Sequence, residues 1–349
     1  MPRTIALRSA DVRREWLERL ERQNSDVARK ALVDLKWQAA LYAGLRHLPF
    51  LIVEEDSVGE VLGALPVSQV KSALFGRYLV GLPYVNTGGV IARDGGSAAR
   101  LIDAAAQLAD QLDVRYLELR HETEIAHPRL AHTNSSKVHM RLSLPDSSDA
   151  LWKQVSAKVR NQIRKGEKSE LAVSWGRHEL IDAYYQVFSH NMRDLGTPCY
   201  GKTLFRAILD EFVNESEICV VRHGDCPVAA ALLIHGRQCT QVPSASSLRA
   251  FNHLNANMLM YWHLLCRAVE RRAAVFDFGR STIDSGTFHF KKQWGAEPVP
   301  AYWQYYPRKG DVGERRPENP RFRRAIAVWQ KLPVPLTRLI GPPIVRGIP

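Results

Sequence analysis

Three stretches of this chain carry side chains whose types and spacing suit the handling of anionic or activated groups. Leu151 to Lys168 reads as one helix. Trp152, Val155, Val159 and Ile163 form a stripe on it, and Lys158, Arg160, Arg164, Lys165 and Lys168 fill the remaining arc. Five cations on about three turns repel one another, and a phosphate of a nucleotide diphosphate or a tRNA would relieve that repulsion. A solvated helix face is the plainer alternative. Arg93-Asp94-Gly95-Gly96-Ser97-Ala98 sits between a strand pattern and a helix pattern. Its R-x-x-G-x-A spacing puts Arg93, Gly96 and Ala98 where helix N-terminal amides can meet a pyrophosphate; an ordinary turn and cap is the alternative. Asp277-Phe278-Gly279-Arg280-Ser281 leads to Phe288-His289-Phe290-Lys291-Lys292-Gln293-Trp294-Gly295. A strand end followed by a glycine turn is where α/β folds hold ligands. Arg280 and Lys291 would supply cations there, and Asp277 is either a base or the ion-pair partner of Arg280.

Other chemistries are excluded by what is missing. His121-Glu122 has Ile at position 125, so H-E-x-x-H is absent, and no G-x-S-x-G elbow occurs. The Asp-Phe-Gly triplet has neither a G-x-G-x-x-G loop nor an H-R-D loop beside it. Cys199, Cys219, Cys226, Cys239 and Cys266 are scattered with no C-x-x-C pair, so neither a disulfide framework nor a metal site is expected.

The elements that position these residues follow from length and periodicity. A chain of 349 residues, 45% hydrophobic and 24% charged, is globular and suits two domains of roughly 150 residues. No apolar run approaches the ~20 residues that cross a bilayer, and a cytoplasmic protein is expected. The net charge is +12, but from Arg315 onward eight basic residues face only Glu318, which leaves +5 on the other 314 residues. A body so weakly charged is not expected to bind DNA. The first half reads as a helix over Asp26–Leu45, then strands at Phe50–Val53, Glu60–Val70 and Tyr78–Pro83. A glycine loop, Thr87-Gly88-Gly89, follows, then a helix capped by Ser97 and a strand at Val114–Leu119. The second half repeats that order. Helices span Leu180–Arg193 and Lys202–Phe212, and strands span Ile218–Val221, Val228–Ile234 and Gln238–Val242. A helix of about twenty residues ends near Arg272, and strands follow at Val275–Phe278 and Ala301–Tyr306. Two similar α/β (α+β) domains are therefore expected over 1–135 and 136–312, each a mixed sheet flanked by helices, with a tail over 313–349.

Several segments, in order, resemble one family. They are Gly63-Ala64-Leu65-Pro66 with Lys71-Ser72-Ala73-Leu74-Phe75-Gly76, Leu82-Pro83-Tyr84-Val85-Asn86-Thr87-Gly88-Gly89, and Tyr116-Leu117-Glu118-Leu119-Arg120. In the second half they are Lys158-Val159-Arg160-Asn161-Gln162-Ile163-Arg164-Lys165, Leu195-Gly196-Thr197-Pro198, and the Asp277 and Lys291 stretches. Over about residues 25 to 310 the chain resembles the Fem-type, GNAT-fold acyltransferases, and within them the FemAB-related branch associated with exosortase/PEP-CTERM exopolysaccharide loci. The resemblance implies two tandem GNAT-like domains and amide-forming acyl transfer to an amine or amino sugar of a cell-envelope or exopolysaccharide precursor. An acyl-CoA or an aminoacyl-tRNA would be the co-substrate, with no resident cofactor. Peptidoglycan bridge formation from aminoacyl-tRNA and a non-catalytic precursor-binding scaffold are the alternatives. The resemblance also implies roles: Lys291 near the transfer centre, Arg160 and Arg164 on acceptor phosphates, and Asn86, Gly88 and Gly89 in a loop facing substrate. Arg93, Gly96 and Ala98 would form an acetyl-CoA pyrophosphate loop.

The tail has its own pattern. Phe322, Ala325, Ile326, Trp329 and Leu332 share one side of a helix starting near Arg321, opposite Arg321, Arg323, Arg324 and Lys331. Such a helix is expected to rest on an anionic inner-membrane surface through residues 315–349.

Overall fold

The computed structural model describes residues 1–73, 75–309 and 323–348. Leu74 and the tail positions up to Phe322, Arg321 among them, lie outside the described residues. The first half runs β1 (Arg3–Ala6), α1 (Ala10–Glu21), α2 (Asp26–Leu45), β2 (Leu48–Glu55), β3 (Val61–Ser72), β4 (Gly76–Val80), β5 (Ile91–Ala92), α3 (Gly95–Gln111), β6 (Tyr116–His121) and β7 (His132–Asn134). The second runs β8 (Lys137–Ser143), α4 (Ser148–Gln154), α5 (Ala157–Glu167), β9 (Leu171–Gly176), α6 (Ile181–Leu195), α7 (Lys202–Glu211), β10 (Ser216–His223), β11 (Cys226–His235), β12 (Cys239–Ser247), α8 (Ala256–Glu270), β13 (Val275–Thr282), α9 (Gly286–Lys292) and β14 (Glu297–Pro300). β15 (Tyr302–Pro307), α10 (Arg323–Trp329) and α11 (Val334–Val345) follow.

The sheets share one spatial strand order. The first is ordered β1-β2-β3-β4-β6-β15-β7, with β5 added on β3. The second, read from its far edge, is β9-β10-β11-β12-β13-β8-β14, which matches the first strand for strand. The parallel neighbours are β4 with β6 and β12 with β13. Helices cover both faces of β11, so its residues from Pro227 onward are buried and read as a continuous apolar run. On one face α8 packs Leu264 and Leu265 against Ala229, Ala231 and Phe276. Across α6 and α7, Phe205 meets Tyr184 and Phe188 edge-on at 4.9 and 4.8 Å.

Contacts divide the chain into two units: Met1–Ser135 with the strand after Pro300 and the residues from Pro343, and Ser136–Val299 with the helices before Pro342. β15 therefore belongs to the first sheet, not to a second domain ending at residue 312. Its partner is β6, paired from Tyr302↔His121 to Pro307↔Tyr116. Without β15 that edge of β6 would be open. Local sequence could not reveal a pairing across some 180 residues. Two helix limits also differ. Leu151–Lys168 is broken at Val155, where extended backbone ends α4 and Ser156 caps α5. α3 starts at Gly95 because Asp94, not Ser97, accepts the capping hydrogen bond, from the Ser97 amide at 2.8 Å.

In the first unit the parallel pair spans only Leu79↔Leu117 and Val80↔Glu118. The next loop then closes the gap. The Gly81 amide donates to the Glu118 carbonyl at 2.9 Å, and Gly88 and Arg120 exchange backbone bonds of 3.1 and 3.2 Å. A Cβ on Gly81 would stand 1.7 Å from the Gly88 oxygen, so only glycine fits there. The buried Arg120 guanidinium pairs with Glu118 at 2.7 Å, donates to the Leu82 and Val85 carbonyls and lies 4.1 Å from the Trp303 ring centroid. Behind it, the Val90 amide donates to His121 Nε2 at 3.1 Å. That leaves the ring proton on Nδ1, 2.9 Å from Gln304 Oε1, which accepts it.

Burial lowers the pKa of His121 from 6.5 to about 4, and His47 and His235 move the same way to about 4. Between pH 6.5 and 4 the unfolded chain therefore binds protons that the folded chain refuses, and stability falls as pH drops through that window. His121→Asn should lower the thermal midpoint at pH 7 by the equivalent of about 1–2 kcal/mol. It should also make the further loss between pH 7 and pH 5 shallower. An unchanged slope would contradict the neutral, doubly bonded imidazole.

Candidate active site

The second unit has the same parting of strands without the closing loop. β12 and β13 pair in parallel only at Cys239↔Val275, Thr240↔Phe276 and Gln241↔Asp277. β12 continues to Ser247 beside β11, so among the described residues its last six positions have no strand on the β13 side. β13 turns away because of a bulge. Its pairing with β8 steps from Asp277↔Arg141 to Arg280↔His139, one residue more on β13 than on β8, and Gly279 takes φ 77°.

Two side chains hold that bulge. Asp277, buried, accepts the Gly279 amide on Oδ1 at 2.7 Å and Arg141 Nε on Oδ2 at 3.1 Å. Arg141 on the neighbouring strand is thus an ion-pair partner of Asp277, and with both oxygens engaged the carboxylate positions backbone. Lys291 returns from α9, whose first turn is capped by Ser285 accepting from the Phe288 amide at 3.2 Å. Its Nζ donates to the Gly279 and Arg280 carbonyls at 3.0 and 2.9 Å. The side chain is only 8% exposed, and burial lowers its pKa to about 8; Arg280 adds to the shift and Asp277 opposes it. Arg280 itself is exposed. Asp277, Arg280 and Lys291 therefore converge on one peptide segment.

The sequence reading missed the polar face around this segment. Val138, Met140 and Leu142 of β8 point into the core with Phe276 and Phe278. Alternation then puts His139 and Arg141 on the opposite face with Asp277. On β12, Ala245 packs into the same core, so Ser244 and Ser246 face the other way, and Asn191 of α6 donates to Ser246 Oγ at 3.2 Å. The alternating pattern His139-Met140-Arg141-Leu142 was the available signal for the first two.

The other sequence-derived site residues each have their own surroundings. Arg160 donates to the Trp152, Lys153 and Val155 carbonyls at 3.1, 3.4 and 2.7 Å, closing the C-terminal end of α4. Its guanidinium is therefore engaged by backbone. Arg164 lies 5.3 Å from the Trp152 ring centroid and is exposed with Lys158, Lys165 and Lys168. In the first unit Gly88 is buried in the closing loop, Gly89 abuts the His121 ring, and Asn86 is half-buried in the same loop. Arg93, Gly96 and Ala98 stand beside carboxylates. The Ser97 amide is already bonded to Asp94, and Glu54 accepts Ser97 Oγ at 2.6 Å and Arg100 Nε at 2.7 Å. A phosphate entering this helix end would meet two carboxylates. Among the described residues no group of three His, Cys, Asp or Glu side chains is arranged to hold a metal ion, and no helix is long and apolar enough to cross a membrane.

Lys291→Met should keep the aliphatic stem and remove two hydrogen bonds, a loss of about 1–3 kcal/mol for the carbonyls left behind. Because the folded pKa is near 8 and the unfolded one 10.5, the unfolded chain holds the extra proton between those values. The wild-type midpoint should therefore rise relative to Lys291→Met as pH goes from 8 to 10.5. A flat difference would mean that the ammonium is not buried in solution.

Comparison with known proteins bears on this geometry. Residues 153–292 match the family model described as acetyltransferase (GNAT) domain, a span that runs from α4 through α9 and contains both parting strands and Lys291. No curated protein matches the sequence. Among solved structures, FemX has a TM-score of 0.62 at 14% identity, over 88% of this chain and 97% of that one. The C-terminal domain of a candidate lysylphosphatidylglycerol synthetase from Agrobacterium fabrum has a TM-score of 0.54 at 12% identity, over 85% and 93%. L-PGS from Bacillus licheniformis has 0.53 at 11%, over 95% and 97%. At these identities the likeness is one of fold. The chain consists of two tandem GNAT-like domains, each a mixed sheet flanked by helices, and the second contains the GNAT acetyltransferase domain match.

Proposed function

We propose that this protein is an N-acyltransferase that forms an amide on an amine or amino sugar of a cell-envelope or exopolysaccharide precursor. The observation that carries the reading is the unfilled divergence of β12 and β13, with a buried lysine at its corner, inside the segment that matches the acetyltransferase domain. Acyl transfer from an ester or thioester needs little covalent chemistry from the protein. The donor is already activated, so the site must align a neutral amine with the carbonyl and stabilise a transient oxyanion. Lys291 has three N–H donors, and two are engaged by the Gly279 and Arg280 carbonyls. The third proton and the positive charge are its contribution to the oxyanion. Arg280 serves the anionic part of a substrate, and Asp277 and Arg141 hold the bulge that presents both cations.

One observation favours an aminoacyl ester over acyl-CoA as donor. The segment joining β12 to α8, Leu248–Asn255, contains no glycine, and its Phe251 and Asn255 amides are bonded internally to the Leu248 and Asn252 carbonyls. The α3 end does begin Gly95-Gly96, but it is flanked by the carboxylates of Asp94 and Glu54. An aminoacyl-tRNA does not require a glycine-lined pyrophosphate cradle.

The test is amide formation on amino-sugar and peptidoglycan-precursor acceptors, with radiolabelled aminoacyl-tRNA and acyl-CoA as donors in parallel. Turnover is expected, faster with aminoacyl-tRNA, and Lys291→Met should reduce kcat by about 10²-fold, the usual loss for one oxyanion donor. Precursor binding without turnover from any donor would replace the transferase with a scaffold. Turnover that Lys291→Met leaves intact would move the chemistry away from the bulge.

A further inference from the structure

The sequence pattern points to a stripe from Phe322 to Leu332 as an apolar membrane face; Phe322 lies outside the described residues, Ala325 is exposed, and Ile326, Trp329 and Leu332 are half-buried. A Cβ on Gly196 would stand 2.4 Å from Ile326, Gln330 donates to the Asp194 carbonyl at 3.1 Å, and Trp329 is half-buried. The exposed residues of α10 include Arg324, Ala325, Ala327 and Val328, the last 61% exposed, and Lys331 follows just beyond its end. α11 is anchored by its opposite side. Thr337 is buried, its carbonyl accepts Cys199 Sγ at 3.5 Å, and a Cβ on Gly341 would come within 3.0–3.2 Å of Cys199. Arg338 Nε donates to Ser189 Oγ at 2.8 Å. α11 shows Pro335, Leu336, Leu339 and Pro343 to solvent; Leu336, Leu339 and Pro343 are spaced three and four residues apart on one stripe, and Leu339 is 73% exposed. The exposed cations Lys331 and Arg346 bracket that stripe.

We infer that the outer face of α11 is a docking surface for an anionic lipid bilayer. A helix of 12 residues is about 18 Å long, too short to span and suited to lying in the interfacial plane. Two leucines and a proline enter the acyl boundary while Lys331, Arg346 and Arg324 meet lipid phosphates. The surface is held rigid by its inner contacts, so no folding is needed on binding. The inference is independent of the transfer chemistry.

The test is co-sedimentation of the full chain with phosphatidylcholine vesicles with and without 30% phosphatidylglycerol, beside its oligomeric state by light scattering. The wild type should bind the anionic vesicles several-fold better than the neutral ones. Leu336→Ser with Leu339→Ser should cut that binding about tenfold. Lys331→Glu with Arg346→Glu, which touches only exposed side chains, should do the same. Two results would each overturn the inference. One is wild-type protein staying in the supernatant with anionic vesicles. The other is a dimer that the leucine variant splits while vesicle binding is unaffected, which would make this face an interface between two copies.

Discussion

Two parallel strands that must separate after three residue pairs impose the constraint on which the second unit is built. β12 and β13 cannot stay paired past Gln241 and Asp277, because one extra residue in β13 turns its backbone away. A bulge beside an unpaired strand edge is costly unless its carbonyls and amide find partners. Here the Gly279 amide goes to Asp277, and the Gly279 and Arg280 carbonyls go to Lys291. The lysine is drawn into a poorly solvated position to satisfy the backbone, and the same burial brings its pKa near neutrality. Structural need and chemical usefulness thus have one origin.

The first unit meets the same topological demand in the opposite way. Its parallel pair also separates, but Gly81 and Gly88 let a loop thread back to touch Arg120, whose side chain ties that loop down over Trp303. Every hydrogen-bonding group of His121 beneath it is matched. One sheet has its gap filled by its own backbone and, among the described residues, the other does not.

The periodic elements were legible in the sequence because their cause is local. The apolar face of α3, with Leu101, Ile102, Ala105 and Leu108, and the alternation or saturation of the central strands follow from burial on one side or both. The clustering of Asp277, Arg280 and Lys291 was within reach for the same reason, since a strand, a turn and a short helix bring them together. Asp277's partner was not. Arg141 meets it only through the register of β8 with β13, which local pattern does not encode. The helix break at Val155 also escaped the wheel, because the stripe stays in phase across it and Val155, Val159 and Ile163 are all buried. At Gly88 the close backbone approach to Leu82 by itself requires glycine.

The placement of β15 has a consequence for how the polypeptide matures on the ribosome. The N-terminal sheet needs a strand that is translated only after every strand of the second sheet has been made. Until then β6 presents an unsatisfied edge to the nascent surroundings, while the later-made domain already has all its own strands. Vectorial synthesis therefore completes the sheets back to front: the sheet begun first is finished last, and a stop before codon 302 would leave it permanently unsealed.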